Sequence, residues 1–249
     1  MKRQLLAAIA GLTLGAAAHA APSYAVLSLV GDKLDIVTYQ PVTGSQLDPN
    51  SHTTLPMPQD ELDVTALRTI NRAVKAAVPD AQVALLAAST AADFEGQEHI
   101  FDGNRVTLPA EIDAAVHRES VTTLVLVTKH QGEAHLEAWN DKLGSGRIRG
   151  LGFYVDGNKW IRNRDTNLTS QGYVAPFVYV DVSVVDVASG TVTRRTTIES
   201  GRVVDSTRST EGGNAWQALS AAQKVALLTN LLTEQLQSAV PRLLAATQH

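Results

Sequence analysis

A run of alternating valines between residues 177 and 187 constrains the fold of this chain more than any other feature. Successive side chains of a strand point to opposite faces of a sheet. Val178, Val180, Val182 and Val184 therefore share one face of a long predicted strand, which we expect to be the buried face. The opposite, wetter face is predicted to carry Tyr179, Asp181 and Ser183.

The segments that follow this strand supply its predicted partners. Residues 186–190 (DVASG) form a turn pattern, and residues 191–198 return as the second strand of a hairpin. The chain then closes with an amphipathic helix that begins at a capping box of Ser220 and Gln223. We expect the leucine stripe of this helix to pack on the valine row, and Pro241 to stop or kink the helix.

The remaining patterns complete the predicted element order. Helices are predicted from Asp60 or Asp63 to Pro79 and from Pro109 onward. Further strands are predicted at residues 24–30, 34–39, 82–88, 122–128, 133–139 and 153–155. The first two should form a hairpin around residues 31–33, residues 40–60 an extended loop, and residues 122–128 a central strand with two apolar faces.

This order predicts one α+β domain over residues 21–249. Its sheet should be mixed and mostly antiparallel, with three helices packed on one face. Residues 1–20 are predicted to be a signal peptide, because Lys2 and Arg3 precede an apolar run that ends in the small-x-small pattern Ala18-His19-Ala20. Cleavage after Ala20 would place the protein in the periplasm or outside the cell. With no second apolar run of spanning length, we expect no transmembrane anchor and a soluble protein.

Composition and charge exclude several classes of function. The chain contains no cysteine, so thiol nucleophiles and thiolate metal sites are excluded. Loss of Lys2 and Arg3 with the leader leaves 19 basic against 25 acidic residues, a net charge of −6, which argues against nucleic-acid binding. We expect no cofactor.

Three motifs suggest chemistry that the rest of the sequence does not support. Residues 31–34 (GDKL) resemble the Gly-Asp-Ser-Leu block of a secreted esterase family, but Lys33 occupies the position of the nucleophilic serine. Glycines at 144–152 lack the spacing of a phosphate loop, which leaves a flexible loop or backbone that packs closely against another strand. Lys129 follows an apolar strand, where we expect its charge simply to mark the end of burial.

Four side chains form the densest set of possible metal ligands: His130, Glu133, His135 and Glu137. His135 and Glu137 lie two residues apart on one predicted strand face, and imidazole and carboxylate suit zinc or manganese. A metal site requires three or four ligands at fixed geometry, so we expect a solvated face and predict no metal.

A basic segment is the most unusual feature of the charge pattern. Residues 142–164 carry six basic side chains against Asp156 alone, a local charge of +5. From it we predict an anion- or partner-binding surface that contains Arg147, Arg149, Trp160, Arg162 and Arg164. A solvated loop balanced by acidic residues elsewhere is the alternative.

The element order over residues 62–240, with the valine-rich strand, its DVASG turn and the closing helix, resembles a class of bacterial envelope proteins. That class includes the curli secretion-channel lipoproteins, the outer-membrane activators of penicillin-binding proteins and the amino-terminal domain of the Tol-system propeller protein. The chain also resembles secreted proteobacterial proteins without an assigned activity. These resemblances imply a non-enzymatic periplasmic binding or envelope-assembly module whose partner is an envelope protein or an anionic envelope component. A metal-dependent or other hydrolase with an unrecognised active site is the alternative, and oligomeric state is left open.

Overall fold

The structure is a computed structural model that describes residues 21–41, 48, 50–57, 61–88, 90–138, 141–162, 169–205, 216–217 and 219–245. The predicted signal peptide and Arg164 lie outside these residues. Within them, no helix is both long enough and apolar enough to cross a membrane.

The described residues form four α-helices, a 3₁₀ turn and fourteen strands. The helices are α1 (Glu61–Ala77), α2 (Ala91–Phe94), α3 (Ala110–Arg118) and α4 (Ala221–Ala245), and the 3₁₀ turn spans Gln97–His99. The strands are β1 (Ser23–Ser28), β2 (Lys33–Thr38), β3 (Ser51–Pro56), β4 (Gln82–Ala87), β5 (Phe101–Asp102), β6 (Arg105–Val106), β7 (Thr123–Lys129), β8 (Gln131–Glu133), β9 (Leu136–Ala138), β10 (Asp141–Leu143), β11 (Arg147–Arg162), β12 (Thr169–Asp186), β13 (Thr191–Gly201) and β14 (Val204–Asp205).

The long strand β12 organises a mixed sheet that divides into two branches. On one side, β12 pairs antiparallel with β11 as far as Tyr179 and with β7 from Val180 onward. The first branch continues from β11 to β2 and β3, and the second continues from β7 to β1 and β4. On its other side β12 pairs with β13, which confirms the predicted hairpin.

The second branch is a small parallel sheet with the order β4-β1-β7. After β1 the chain first forms β2 and β3 of the other branch and then passes through α1 to reach β4. It returns through α2, β5, β6 and α3 to reach β7 on the other side of β1. Helix α1 packs with α4 on one face of this branch, and α3 packs on the opposite face with the apolar side chains of β1 and β7. The unit is therefore doubly wound, as open α/β sheets are.

This arrangement corrects the predicted helices. The sequence predicted three helices on one face, and the structure has four in its described residues, on both faces. Strands β1 and β7 are apolar on both sides, so each side requires a cover. The additional helix, α2, is a single turn in which the Asp93 carboxylate accepts the backbone N–H of Thr90 at 2.8 Å, and one turn is too short to show a helical apolar period.

Two further predictions, the hairpin of β1 and β2 and the loop at 40–60, are wrong. β1 and β2 do not form a hairpin, because they run in the same direction in different branches of the sheet, paired with β7 and β11 respectively. The predicted loop at 40–60 contains β3, which pairs antiparallel with β2. Apart from Leu55 its side chains are mostly small or polar, and five of the six are exposed, so the strand lacks an apolar signal.

The glycine-rich segment is also structured, because residues 147–162 form the continuous strand β11. At Gly152 an added Cβ would overlap the carbonyl oxygen of Asp35 on the neighbouring strand β2. Of the two interpretations, the close packing of backbone on a neighbouring strand is confirmed.

The predicted core is confirmed on one face of β12 and corrected on the other. The valine row lies in one cluster with Leu228, Leu232 and Leu236 of α4. The opposite row is not wet: Tyr179 and Ser183 have no exposed surface, and only Asp181 is half-buried. Tyr179 packs with Leu136 and Ile148 in a separate cluster on that face.

Helix α4 begins as predicted and ends later than predicted. The Ser220 hydroxyl accepts the N–H of Gln223 at 3.2 Å, and the Gln223 side chain accepts the N–H of Ser220 at 2.8 Å. These reciprocal bonds are the predicted capping box. Pro241 does not stop the helix, which continues to Ala245.

Candidate functional site

A cleft of about 410 Å³ lies where the two branches of the sheet separate. Lys129 enters it from the carboxyl end of β7, Lys33 from the start of β2, and Arg147 and Arg149 from the start of β11. The loop after β4 closes the remaining side through Phe94 to Gln97. In open α/β sheets, ligands bind beyond the carboxyl ends of parallel strands where the winding reverses. The cleft occupies this position relative to β4-β1-β7, so it is our candidate site.

Lys129 lines one wall of the cleft and belongs to a nearly buried ion pair. The Lys129 ammonium contacts the Asp32 carboxylate, and only 7% of the lysine side chain is exposed. Burial lowers the pKa of Lys129, and the contact with Asp32 opposes that effect. Lys129 is therefore not simply a charge that marks the end of a strand, which corrects our expectation.

Gln97 and Gly150 fix the position of Lys129 in this pair. The Gln97 side-chain amide donates to the Leu29 carbonyl at 2.6 Å and accepts the backbone N–H of Lys129 at 3.0 Å. Gly150, with φ of +69°, leaves room for the aliphatic stem of Lys129, because an added Cβ would lie 2.9 Å from the lysine Cδ. The wall is thus built from three segments that are distant in sequence.

The turn that carries Asp32 is anchored from helix α1. The Asp63 carboxylate accepts the backbone N–H groups of Val30 at 3.1 Å and Gly31 at 3.0 Å. Burial raises the pKa of Asp63, although these hydrogen bonds favour its ionised form. An added Cβ at Gly31 would overlap Asp63, so only glycine fits there. The GDKL block is accordingly a structural turn that places Asp32 beside Lys129.

The floor of the cleft carries two arginines. Arg147 and Arg149 lie two residues apart on β11, which pairs with β8, so their side chains point to the same face. Lys33, with a side chain 50% exposed, faces the same space. The Asp32 carboxylate contacts Lys129 and lies 3.8 Å from Lys33, so two of the four cations that line the cleft share this one carboxylate.

Acidic groups at the rim limit that charge. The cleft is also lined by Asp35 and Glu95. His52 lies between two carboxylates, with Nδ1 3.0 Å from Asp35 and Nε2 3.4 Å from Asp48. The Asp48 carboxylate in turn accepts the backbone N–H of Arg147 at 3.0 Å, which fixes the start of β11.

A second hollow of about 240 Å³ adjoins the cleft and shares Gln97, Lys129, Gln131 and Arg149 with it. Its own lining is different in character and consists of Phe101, Thr128, His130 and Asp181.

The structure separates the residues of the predicted basic surface. Arg147 and Arg149 lie at the start of β11, whereas Trp160 and Arg162 lie at its end. Thirteen residues of strand separate Arg149 from Arg162, a path of about 40 Å along the strand. Trp160 is 65% exposed, and Arg162 is exposed as well. Arg147 and Arg149 are therefore the only two of the four described members that line the cleft.

The structure does not bring the four possible metal ligands together. His130 contacts Asp181 and Glu199 instead, with Nε2 3.0 Å from the Glu199 carboxylate. His135 lies 3.9 Å from Glu133 across a mostly exposed contact. No group of three or more potential metal-ligating side chains occurs in the part of the chain that the structure describes.

Lys33, Asp32 and Gln97 were missed as site residues. The sequence did contain a signal at 31–34 and at Lys129, since both follow apolar strands, but it did not show that the two strands are adjacent and parallel. Nothing in the sequence marked Gln97, because its role depends on contacts with Leu29 and Lys129.

Comparisons with known proteins find only distant similarity in structure. No protein-family model matches the sequence, and no curated protein matches it. The chain is similar to a PelC dodecamer structure from Paraburkholderia phytofirmans, at 12% identity and a TM-score of 0.34, over 90% of this chain and 87% of that one. It is also similar to a DUF330-family protein from Xanthomonas campestris, at 10% identity and a TM-score of 0.38, over 92% and 90% of the two chains. A neuraminyllactose-binding hemagglutinin homologue from Helicobacter pylori matches at 8% identity and a TM-score of 0.34, over 88% of this chain and 81% of that one. At these TM-scores the similarities carry no conclusion about function.

Proposed function

We propose that the protein is a non-enzymatic periplasmic binding module that holds an anionic envelope component in the cleft between the two branches of its sheet. The observation that carries this proposal is the convergence of Lys33, Arg147 and Arg149 beside the Lys129–Asp32 pair at the winding reversal of β4-β1-β7. An envelope protein that presents an acidic side chain could bind in the same way, because it offers the same kind of anionic group to the cations of the cleft.

The physical argument rests on distance and on the geometry of arginine. The field of a surface charge is screened over about 8 Å at physiological salt, so cations act together only when they are neighbours in space. Arg147 and Arg149 meet this condition on one strand face, whereas Arg162 does not. Guanidinium groups add paired hydrogen bonds to carboxylate or phosphate, and a concave site reduces competition from water.

Binding is better supported than hydrolysis. The hydrolase alternative would use His130, His135 and Glu137, or a pocket that the sequence does not reveal. His130 contacts Asp181 and Glu199, and His135 contacts Glu133, and no group of three potential metal ligands occurs among the described residues. In the cleft, the Lys129 ammonium is paired with the Asp32 carboxylate.

The periplasmic location in this proposal is supported by the leader at residues 1–20. The resemblance in element order to envelope assembly domains supports the same compartment. We propose cleavage after Ala20, which leaves the described domain without the leader.

Retention on heparin-agarose tests the binding proposal, with heparin as the anionic probe. We expect the native protein to be retained at low salt and to elute as NaCl rises, since the interaction is ionic. The variant Arg147→Gln/Arg149→Gln should elute at clearly lower salt, with an unchanged melting temperature because Arg147 is exposed and Arg149 is only half-buried.

Arg162→Gln is the control, because it removes one arginine charge from the other end of the same strand. It should shift elution far less than the double change in the cleft. Equal shifts per arginine removed would show that general charge, and not the cleft, retains the protein. If the native protein shows no salt-sensitive retention, the proposal that the cleft binds an anionic component is wrong.

A further inference from the structure

We infer that the cleft and the adjoining second hollow together bind a sugar acid, a ligand with one anionic group and several hydroxyl groups. This inference rests on the proposed function and names the class of ligand. The two hollows have volumes of about 410 Å³ and 240 Å³ and share four lining residues, so one ligand can occupy both.

The two hollows differ in their charged side chains. Lys33, Arg147, Asp35 and Glu95 line only the first. Asp35 contacts His52 at 3.0 Å, and the two cations suit a carboxylate or phosphate. Asp181, His130 and Thr128 line only the second. A second anionic group would be repelled there by the Asp181 carboxylate, whereas a hydroxyl group can donate to that carboxylate and accept from a neighbouring donor. The ligand should therefore be asymmetric, anionic at one end and hydroxylated at the other.

The acceptor in the second hollow is held in a defined orientation. Asp181 Oδ1 accepts the Thr197 hydroxyl at 2.6 Å, and Asp181 Oδ2 lies 3.6 Å from His130 Nδ1. His130 is fixed in turn by Glu199, 3.0 Å from its Nε2. An ionised carboxylate has about four lone-pair sites, so these contacts leave capacity for ligand hydroxyls.

Arg149 and Lys129 join the two ends of the proposed ligand site, because both line the cleft and the second hollow. Loss of a hydrogen bond to the charged Asp181 carboxylate should weaken sugar-acid binding on the order of tenfold.

An NMR titration with three probes tests this inference. It uses ¹⁵N-labelled protein whose chain begins at residue 21. The probes are glucuronate, glucose and inorganic sulfate. Glucuronate should bind more tightly than sulfate or glucose, and the amide signals of Lys129, His130 and Gly150 should shift together. Asp181→Asn should weaken glucuronate binding about tenfold and leave sulfate binding unchanged.

Matched variants separate the two proposals. Arg147→Gln/Arg149→Gln should weaken both glucuronate and sulfate, and Arg162→Gln should weaken neither. If Asp181→Asn loses its native spectrum, His130→Gln supplies the second test, since it removes a neighbouring donor from the same hollow. The sugar-acid inference alone would be overturned by one result. Sulfate would bind through the two arginines, glucuronate would bind no more tightly than sulfate, and neither Asp181→Asn nor His130→Gln would change binding. Absence of binding by all three probes, or binding insensitive to the two arginines, would overturn both proposals.

Discussion

At the residue scale, the Lys129–Asp32 pair links two parts of the chain that are nearly a hundred residues apart. A buried ion pair is costly to desolvate, and the loss of one partner leaves an uncompensated charge. Asp32 is 19% exposed and has Lys33 3.8 Å away, whereas Lys129 is almost fully enclosed. Lys129 therefore depends on Asp32 for charge compensation more than Asp32 depends on Lys129.

We expect Asp32→Asn to reduce the free energy of unfolding by about 3 kcal/mol at neutral pH. The double variant Asp32→Asn/Lys129→Met should recover much of this loss, because it leaves no buried charge. Urea denaturation of both variants provides the measurement. A double variant that is no more stable than Asp32→Asn alone would contradict this explanation.

The pH dependence of the same variant has a defined sign. Burial lowers the pKa of Lys129 in the folded state below its ordinary value of 10.5, and loss of Asp32 removes the contact that opposes this effect. The unfolded state then binds more protons between the two pKa values, so stability rises with pH in that window. The deficit of Asp32→Asn should therefore shrink as pH approaches 10.5. A deficit that grows with pH would exclude a buried ammonium as its cause.

Gly152 is a second position at which the fold restricts the residue type, because the backbone of Asp35 occupies the space where a side chain would lie. We expect Gly152→Ala to destabilise the protein strongly, because its Cβ would overlap the Asp35 carbonyl and separate β11 from β2. Gly157→Ala is the control, as an added Cβ there meets nothing within 4 Å. Thermal melting should show a large loss for the first and little change for the second.

At the scale of elements, β12 is buried on both faces along its central part. Val182 packs in the cluster that contains α4, and Tyr179 packs in the cluster on the opposite face. The Tyr179 hydroxyl donates to the Glu133 carbonyl at 2.9 Å and accepts the N–H of His135 at 3.0 Å. One side chain of β12 thus holds the segment between β8 and β9 against the sheet.

Substitutions on the two faces of β12 should both be severe. Val182→Asp places an unpaired carboxylate in the core and should cost about 4 kcal/mol or more. Tyr179→Ser should cost about 3–5 kcal/mol, because it removes a fully buried aromatic ring and two hydrogen bonds. Tyr179→Phe should cost less, as it loses only the hydrogen bonds. Chemical denaturation measures these losses, with Thr53→Ala as the control at an exposed position. If Tyr179→Ser lowers the free energy of unfolding no more than Thr53→Ala does, the assigned burial of Tyr179 is wrong.

At the scale of the whole molecule, a doubly wound parallel unit is joined to an antiparallel sheet through the length of β12. The cleft exists because β7 ends where β11 begins beside the same strand. The candidate site is thus a consequence of the sheet topology and does not belong to one loop.

For the whole molecule, we expect the leader to be cleaved after Ala20. This prediction rests on the pattern Ala18-His19-Ala20, which follows an uncharged apolar run. Intact mass of protein recovered from a periplasmic extract should correspond to a chain that begins at Ala21. Full-length mass in that extract, or a lipid adduct, would contradict it.

The sequence by itself determined the elements whose side-chain patterns report burial directly. The alternating valines predicted β12, the DVASG turn predicted its hairpin, and the leucine spacing with Ser220 and Gln223 predicted α4. Residues 122–128 were predicted to be central because both faces are apolar, and β7 does lie between β1 and β12. Each of these inferences depends only on the period of burial along one segment.

Only the tertiary structure decided which strands are neighbours, and the site depends on that. An apolar strand must be covered, but its pattern does not identify the cover, so β1 was paired with β2 although it lies between β4 and β7. The same ambiguity concealed the burial of Tyr179, which comes from Ala134, Leu136 and Ile148 packing on the second face of β12. The cleft joins Lys33, Lys129 and Arg149 from three strands, and no local pattern records a distance between segments so far apart in the chain.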